Sequence, residues 1–249
     1  MKTSALVVLS GGQDSTTCLF WAKQNFDIVH ALTFDYNQRH RREIEAAVKV
    51  AKLARIASHE VLVLGPILKG RSPLTNPDEK LETYENYETM DKIIGDRVEL
   101  TFVPMRNALF LTLAANRAAV LDTWNLVTGV CQQDNANYPD CRAEFIDAQQ
   151  QTINKALGLV REFWIYTPLM NMSKAESIKL ALSIPDAYEA LGWSHTAYDG
   201  GYPPVSKDHA STLRAQGFLE AGVPDPLVVR AYREGLMALP QTPNYRSVA

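Results

Sequence analysis

The chain has too few cysteines for a disulfide scaffold. Only Cys18, Cys131 and Cys141 occur in 249 residues, and no two form a CxxC pair. That excludes a thioredoxin-like or zinc-ribbon protein and agrees with a reducing compartment. No apolar run is long enough to span a bilayer. Excess positive charge is missing as well. With a formal net charge of -3, a basic coat for nucleic acid is not expected. Neither the Walker A pattern GxxxxGK[ST] nor the dinucleotide fingerprint GxGxxG occurs. Met1 to Leu9 is a short apolar start, but Gly11-Gly12-Gln13-Asp14 follows at once with no small-residue cleavage site. We therefore expect a soluble, cytoplasmic chain with no membrane segment.

An apolar fraction of 46% is enough for a full core. Short buried-strand patterns at Ala5–Leu9, Ile28–Phe34, Val61–Leu64, Leu126–Val130 and Phe163–Tyr166 alternate with helical ones at Ser15–Lys23, Arg41–Ile56, Asn107–Leu121 and Arg142–Leu157. Alternation of this kind predicts α/β architecture, a parallel sheet with helices on both faces. Ser173 followed by Glu176 predicts a capping box at a further helix. Lys69–Glu99 is polar, acidic and holds Pro73 and Pro77. It reads as an insertion at about 66–100, either solvated or a cover over a site. Near residue 192 glycine and proline become frequent, and a closing helix is expected over Lys207–Glu220. The chain thus divides into an α/β part, 1–192, and a helical C-terminal tail, 193–249.

The stretch with the most chemistry is Ser10-Gly11-Gly12-Gln13-Asp14-Ser15, between a buried strand and a helix. Two glycines let the backbone turn sharply and bring its N–H groups close to an anion. The following helix points its positive end at the same place. Asp14 suits either a Mg²⁺ that accompanies polyphosphate or the N-cap of that helix. Lys174 is either a phosphate ligand or a solvated first-turn lysine. Cys131 and Cys141 read as small packing residues.

SGGQDS resembles the pyrophosphate loop of the ATP pyrophosphatase superfamily. Further segments narrow the likeness: Phe34-Asp35-Tyr36 with Gln38-Arg39-His40, Val103-Pro104-Met105-Arg106-Asn107, Gly129-Val130-Cys131 with Asp134, Tyr138-Pro139-Asp140-Cys141-Arg142, and Thr167-Pro168-Leu169 before Lys174-Ala175-Glu176. Together they resemble the 7-cyano-7-deazaguanine synthase (QueC) family over roughly residues 1–180. The resemblance implies a Rossmann-like, adenine nucleotide alpha hydrolase-like sheet and an ATP-dependent ligase of queuosine-type deazapurine biosynthesis. The substrates would be 7-carboxy-7-deazaguanine and ammonia, with ATP and Mg²⁺. AMP would be attached to the carboxylate, ammonia would displace it to give the amide, and a second ATP would carry the amide to the nitrile. The resemblance implies ATP contacts at Leu9, Ser10, Gly11, Gly12, Gln13, Asp14, Ser15, Thr16, Thr33, Phe34, Asp35, Arg106 and Gly129. It implies substrate contacts at Tyr36, Gln38, Arg39, His40, Asp134, Tyr138, Asp140 and Arg142. Asp14, Arg106 and Lys174 would be catalytic, and a homodimer is implied.

The tail departs from the family, whose members carry a structural zinc on four cysteines. Here the flanks Thr196, Tyr198, Gly200, Leu213-Arg214 and Gly217-Phe218 survive, but Ala197, Val205, Asp208 and Ser211 occupy the four positions. His195, Asp208 and His209 lack a recognised zinc spacing, so we expect no zinc and a repacked tail. Two alternatives stay open. One is a ligase that stops at the amide or uses another deazapurine acid. The other is a relative that binds nucleotide without turnover.

Overall fold

The computed structural model describes residues 2–133, 136–158 and 161–248. Its centre is a five-stranded sheet of β1 (Ser4–Val8), β2 (Ile28–Asp35), β3 (Ser58–Val63), β4 (Asn125–Val127) and β5 (Trp164–Tyr166). The strand order is β3-β2-β1-β4-β5 and all four pairings are parallel. Strands are added on one side of β1 up to β3, then on the other from β4. The order reverses between β1 and β4, where α/β sheets open a crevice at their carboxyl ends.

Alternation along the strands decides which helix covers which face. Ala5 and Val7 of β1 face one layer, with Cys18 and Leu19 of α1 (Gln13–Asn25) and Ala47, Val50 and Ala51 of α2 (Arg42–Ala54). Leu6 faces the other, with Leu111 and Ala114 of α4 (Arg106–Val120) and Ile146 and Ile153 of α5 (Ala143–Leu157). Ile178 of α6 (Lys174–Ser183) closes the first layer. The capping box at Ser173 and Glu176 is present as expected. No helix among the described residues is long and apolar enough to cross a membrane.

Three elements differ from the sequence reading. β3 starts three residues early, at Ser58. It is an edge strand with alternating burial, so Ser58, His59 and Glu60 interrupt the apolar run without leaving the ladder. β4 stops at Val127, because the chain beyond it turns along the crevice to form a wall at Thr128–Gln132. The insertion is not a solvated loop. It folds α3 (Tyr87–Ile94), capped by Asn86, and buries Tyr84, Met90 and Ile94 against Leu213.

Leu213 belongs to α8 (His209–Ala221) in the tail. After the one-turn α7 (Ala187–Ala190), the chain runs under the glycine loop to α8 and then α9 (Pro226–Arg233). Helix α9 went unread, although Asp225-Pro226 is an N-cap followed by proline at the first helical position. Helix α8 lies against α6, and a Cβ at Gly217 would stand 2.5 Å from Lys174 Cγ. Glycine there lets the tail reach the lysine.

The tail is held by a buried ion pair. Arg214 Nε and an Nη donate to the two oxygens of Asp225 at 2.6 and 2.8 Å, and both residues are 4% exposed at the side chain. Its remaining donors reach Ser194, Thr196 and the Leu191 carbonyl.

A candidate active site at the switch point of the sheet

A cavity of about 300 Å³ opens at the carboxyl ends of β1, β2 and β4. Its two ends have different chemistry. One end is built from the glycine loop. Helix α1 begins at Gly12 with no side-chain cap, which leaves first-turn N–H groups to meet an anion. Ser15 Oγ accepts from the Gly11 N–H at 3.2 Å and lies 3.0 Å from Ser10 Oγ, so the two serines hold the loop's shape. Gln13 is 5% exposed, and both heteroatoms of its amide lack a partner in the protein. A buried amide left so is costly unless a ligand meets it. Lys174, at the start of α6, donates to Asp14 Oδ2 at 2.7 Å. The tail closes the loop from below, with the His195 N–H donating to the Gly11 carbonyl at 2.9 Å.

The other end is aromatic. Phe34 stacks on Phe110 with centroids 4.2 Å apart, and Tyr36 lies 5.2 Å from the same ring. Tyr138 and Tyr198 complete the walls around Arg106. Burial works against the charge of Arg106, but a guanidinium keeps its proton even so, and it lies among the Tyr36, Tyr138 and Tyr198 side chains. A fixed cation among flat aromatic walls suits a planar heterocycle that carries a carboxylate.

Most residues expected at a site come together here. Leu9, Ser10, Gly12, Gln13, Asp14, Ser15, Phe34, Arg106 and Gly129 line the cavity, as do Tyr36, Gln38, Arg39, His40, Tyr138, Arg142 and Lys174. Besides the two serines and the Lys174–Asp14 pair, Tyr138, Gln38 and Arg39 have polar groups engaged within the protein, the Tyr138 hydroxyl donating to Glu99 at 3.1 Å. The Gln38 amide bridges the Tyr36 N–H and the Phe34 carbonyl, and Arg39 donates to the carbonyls of Pro73 and Glu79.

Five expected contacts lie outside the lining. Thr16 is fully buried within α1. Thr33 donates to the Leu9 carbonyl at 2.6 Å and ties two strands together. Asp35 pairs with Arg41 at 3.0 Å and closes the turn after β2. Asp140 accepts from the Asn107 N–H at 3.1 Å and fixes the start of α4. Gly11 is spent on packing, since a Cβ there would stand 2.1 Å from the Glu43 carbonyl oxygen. Asp134 lies outside the described residues.

Asp14 does not cap α1, and Lys174 is not solvated, because each holds the other. Cys131 is buried and donates to the Met172 carbonyl, while Cys141 is half-buried beside Asn107.

Sequence reading missed Glu43, His195, Tyr198 and His209, which also line the cavity. Glu43 had a signal: it falls on the same stripe of α2 as the buried Ala46, Ala47 and Val50, where a carboxyl needs a reason. The other three sit in the tail, around the altered zinc positions.

Those positions do not fit zinc. Ala197 is buried and Val205 is exposed, and neither offers a donor. Asp208 is 1% exposed. Its two oxygens are taken by the Ser211 N–H at 2.8 Å, the Tyr198 N–H at 2.7 Å and the Ser206 hydroxyl at 2.9 Å. The carboxylate ties the segment together by hydrogen bonds.

Burial raises the Glu43 carboxyl from 4.5 to about 7, against the pull of Arg106. A carboxyl raised on folding stabilises the fold while protonated, and that stability is lost as pH rises through its folded value. Glu43→Gln, which cannot ionise, should match the wild type near pH 5 and exceed it by on the order of 2 kcal/mol near pH 9. Urea unfolding at both pH values measures this; a difference independent of pH would refute it.

Residues 4–222 match the family described as "Queuosine biosynthesis protein QueC". The 7-cyano-7-deazaguanine synthase of Gloeobacter violaceus is 47% identical over 226 residues, covering 90% of this chain and 94% of that one. The enzyme of the same name from Chromobacterium violaceum is 45% identical over 232 residues, 92% of this chain and 95% of its own. Among solved structures, NMN synthetase from Francisella tularensis overlaps 96% of this chain and 89% of that one, at 14% identity with a TM-score of 0.45. That likeness is too loose to carry weight.

Proposed function

The chain belongs to the QueC family of queuosine biosynthesis proteins, ATP-dependent ligases that make 7-cyano-7-deazaguanine, and on that footing we propose how its cavity does the work. The glycine-loop end takes the phosphates of ATP. The aromatic end takes 7-carboxy-7-deazaguanine, with Arg106 against its carboxylate. The observation that carries this reading is the joining of the two ends in one cavity. The uncapped start of α1, the unpartnered Gln13 amide and Lys174 face it from one side, and Arg106 within its tyrosine walls from the other.

The chemistry needs that juxtaposition. A carboxylate oxygen is a poor leaving group. Its attack on the α-phosphorus of ATP breaks the bond to the β-phosphate oxygen, releases pyrophosphate and leaves an acyl-adenylate. Ammonia then displaces AMP. The protein's share is to hold the two reactants together and to neutralise phosphate charge with Lys174 and the α1 N-terminus. Arg106 orients the carboxylate, and the aromatic walls keep water from the activated acid.

Mg²⁺ fits the phosphate end. It keeps several waters and needs one or two protein carboxylates beside substrate phosphates, so Asp14 with the amide oxygen of Gln13 suffices. When bound, it would polarise the phosphoryl oxygens. We propose a homodimer as well, which light scattering on the purified chain would check.

Exchange of labelled pyrophosphate into ATP tests the reading. Exchange is expected only when 7-carboxy-7-deazaguanine is present, and its absence with the acid present would overturn the assignment. Lys174→Ala should lower the exchange about 10²-fold, the usual loss when a charge-stabilising donor is removed. An unchanged rate would place the phosphates elsewhere.

A further inference from the structure

The described residues that line the cavity include two carboxylates, Asp14 and Glu43. Asp14 is bound by Lys174 at the phosphate end. Glu43 is different, because burial and nearby charges set its behaviour and no side-chain hydrogen bond from the described residues holds it. It reaches the cavity from α2, whose backbone at Glu43 presses on Gly11 so closely that no Cβ fits between them. The groups facing it come from three other elements: Tyr36 after β2, Arg106 at the start of α4, and Tyr198 and Asp208 in the tail. Glu43 therefore stands at the junction of the two ends, anchored to the phosphate loop and facing the Arg106 chamber.

We propose that Glu43 is the base that takes the proton from nitrogen when ammonia displaces AMP from the activated acid. The inference rests on the ligase reading above. The ammonia lone pair forms the new carbon–nitrogen bond, and the carbonyl π pair moves onto oxygen. The nitrogen then carries a positive charge. Unless it loses a proton, this intermediate reverts by expelling ammonia. Transfer of one N–H proton to the Glu43 carboxylate leaves a neutral nitrogen. The oxygen pair then re-forms the carbonyl and the bond to AMP breaks, giving amide, AMP and a protonated Glu43. Solvent takes that proton before the next turnover.

Three observations favour Glu43 over other groups. It faces the Arg106 chamber, and burial raises its carboxyl to about 7 against the pull of Arg106, so it can both accept and release a proton near neutrality. The histidines of the cavity are poorer bases. His195 is pushed down to about 4 by burial and by His40, and its Nε2 meets the Ala197 carbonyl at 2.9 Å. His40 is lowered by burial and packs edge-on against His195, and His209 is lowered by burial and faces Lys174. The phenols of Tyr36, Tyr138 and Tyr198 are all raised by burial and stay protonated.

The test separates activation from ammonia transfer in the purified full-length chain. Acid-dependent pyrophosphate exchange reads activation, and amide formation from ammonium reads transfer. Glu43→Gln is expected to lose amide formation about 10²-fold or more beyond any loss of exchange. Hydroxylamine, whose nitrogen sheds its proton more readily once bonded, should restore product in this variant. Glu43→Asp should recover part of the ammonia rate. At a fixed concentration of free ammonia, the wild-type rate of amide formation should rise through about pH 7, and Glu43→Gln should lack that limb. Two results would overturn the proposal. One is amide formation by Glu43→Gln at the wild-type rate. The other is an equal loss of exchange and transfer with a raised KM for the acid, which would mark Glu43 as a binding group. Wild-type protein without acid-dependent exchange would instead overturn the ligase reading, and the inference with it.

Discussion

Replacing Gly11 by alanine should abolish turnover and lower the stability of the fold by about 3 kcal/mol or more. The added methyl would sit 2.1 Å from the Glu43 carbonyl oxygen and 2.7 Å from the Ala47 nitrogen, and both are helix backbone. Neither can swing aside as a side-chain tip could, so α2 or the loop must move. The backbone there also has φ +89°, a conformation L-residues resist. Because the loop carries the start of α1 and α2 carries Glu43, either movement spoils both ends of the cavity. Urea unfolding and the pyrophosphate-exchange rate measure the two effects. A Gly11→Ala protein that unfolds like the wild type would show that the loop and α2 do not pack as described.

Arg214→Ala should cost about 3–5 kcal/mol, the usual penalty for leaving a buried charge without its partner. The stranded group is Asp225, 3% exposed, whose two oxygens both face the guanidinium. Loss of Arg214 also frees Ser194 and Thr196, which flank the His195 bond to the glycine loop. Damage in the tail should therefore reach the phosphate end. Replacing both partners by apolar residues, Arg214→Met with Asp225→Leu, should recover part of the stability, because no unpaired charge remains although the α9 N-cap is lost. A single variant within about 1 kcal/mol of the wild type would contradict the buried pairing.

The sheet was legible because its strands are buried on both faces. Ala5–Val8 and Ile28–Phe34 read as solid apolar runs between helical patterns, and strands of that kind leave little ambiguity. Ser58–Glu60 was missed for the converse reason, since an edge strand with one wet face carries polar residues. The glycine loop was legible because backbone chemistry dictates it: two glycines, a hydroxyl on either side and a helix start. Thr33, Asp35 and Asp140 stand outside the cavity lining because each satisfies a neighbouring backbone or side-chain group, and sequence order does not reveal that competition. His195, Tyr198 and His209 were out of reach for another reason. They enter the cavity only because the tail packs back over α6 and the loop, a contact between segments far apart in sequence. The altered zinc positions drew notice as a loss. What they hold, the Asp208 carboxylate bonded to two backbone N–H groups and a hydroxyl, is a three-dimensional fact.

The central claim is that one cavity carries a carboxylate through adenylylation to the nitrile. Mass spectrometry of products from 7-carboxy-7-deazaguanine, ATP, Mg²⁺ and ammonium with the purified chain tests it directly. The account predicts 7-cyano-7-deazaguanine, with AMP and pyrophosphate released for each ATP consumed. An amide that accumulates without nitrile, or no ATP-dependent product at all, would contradict it.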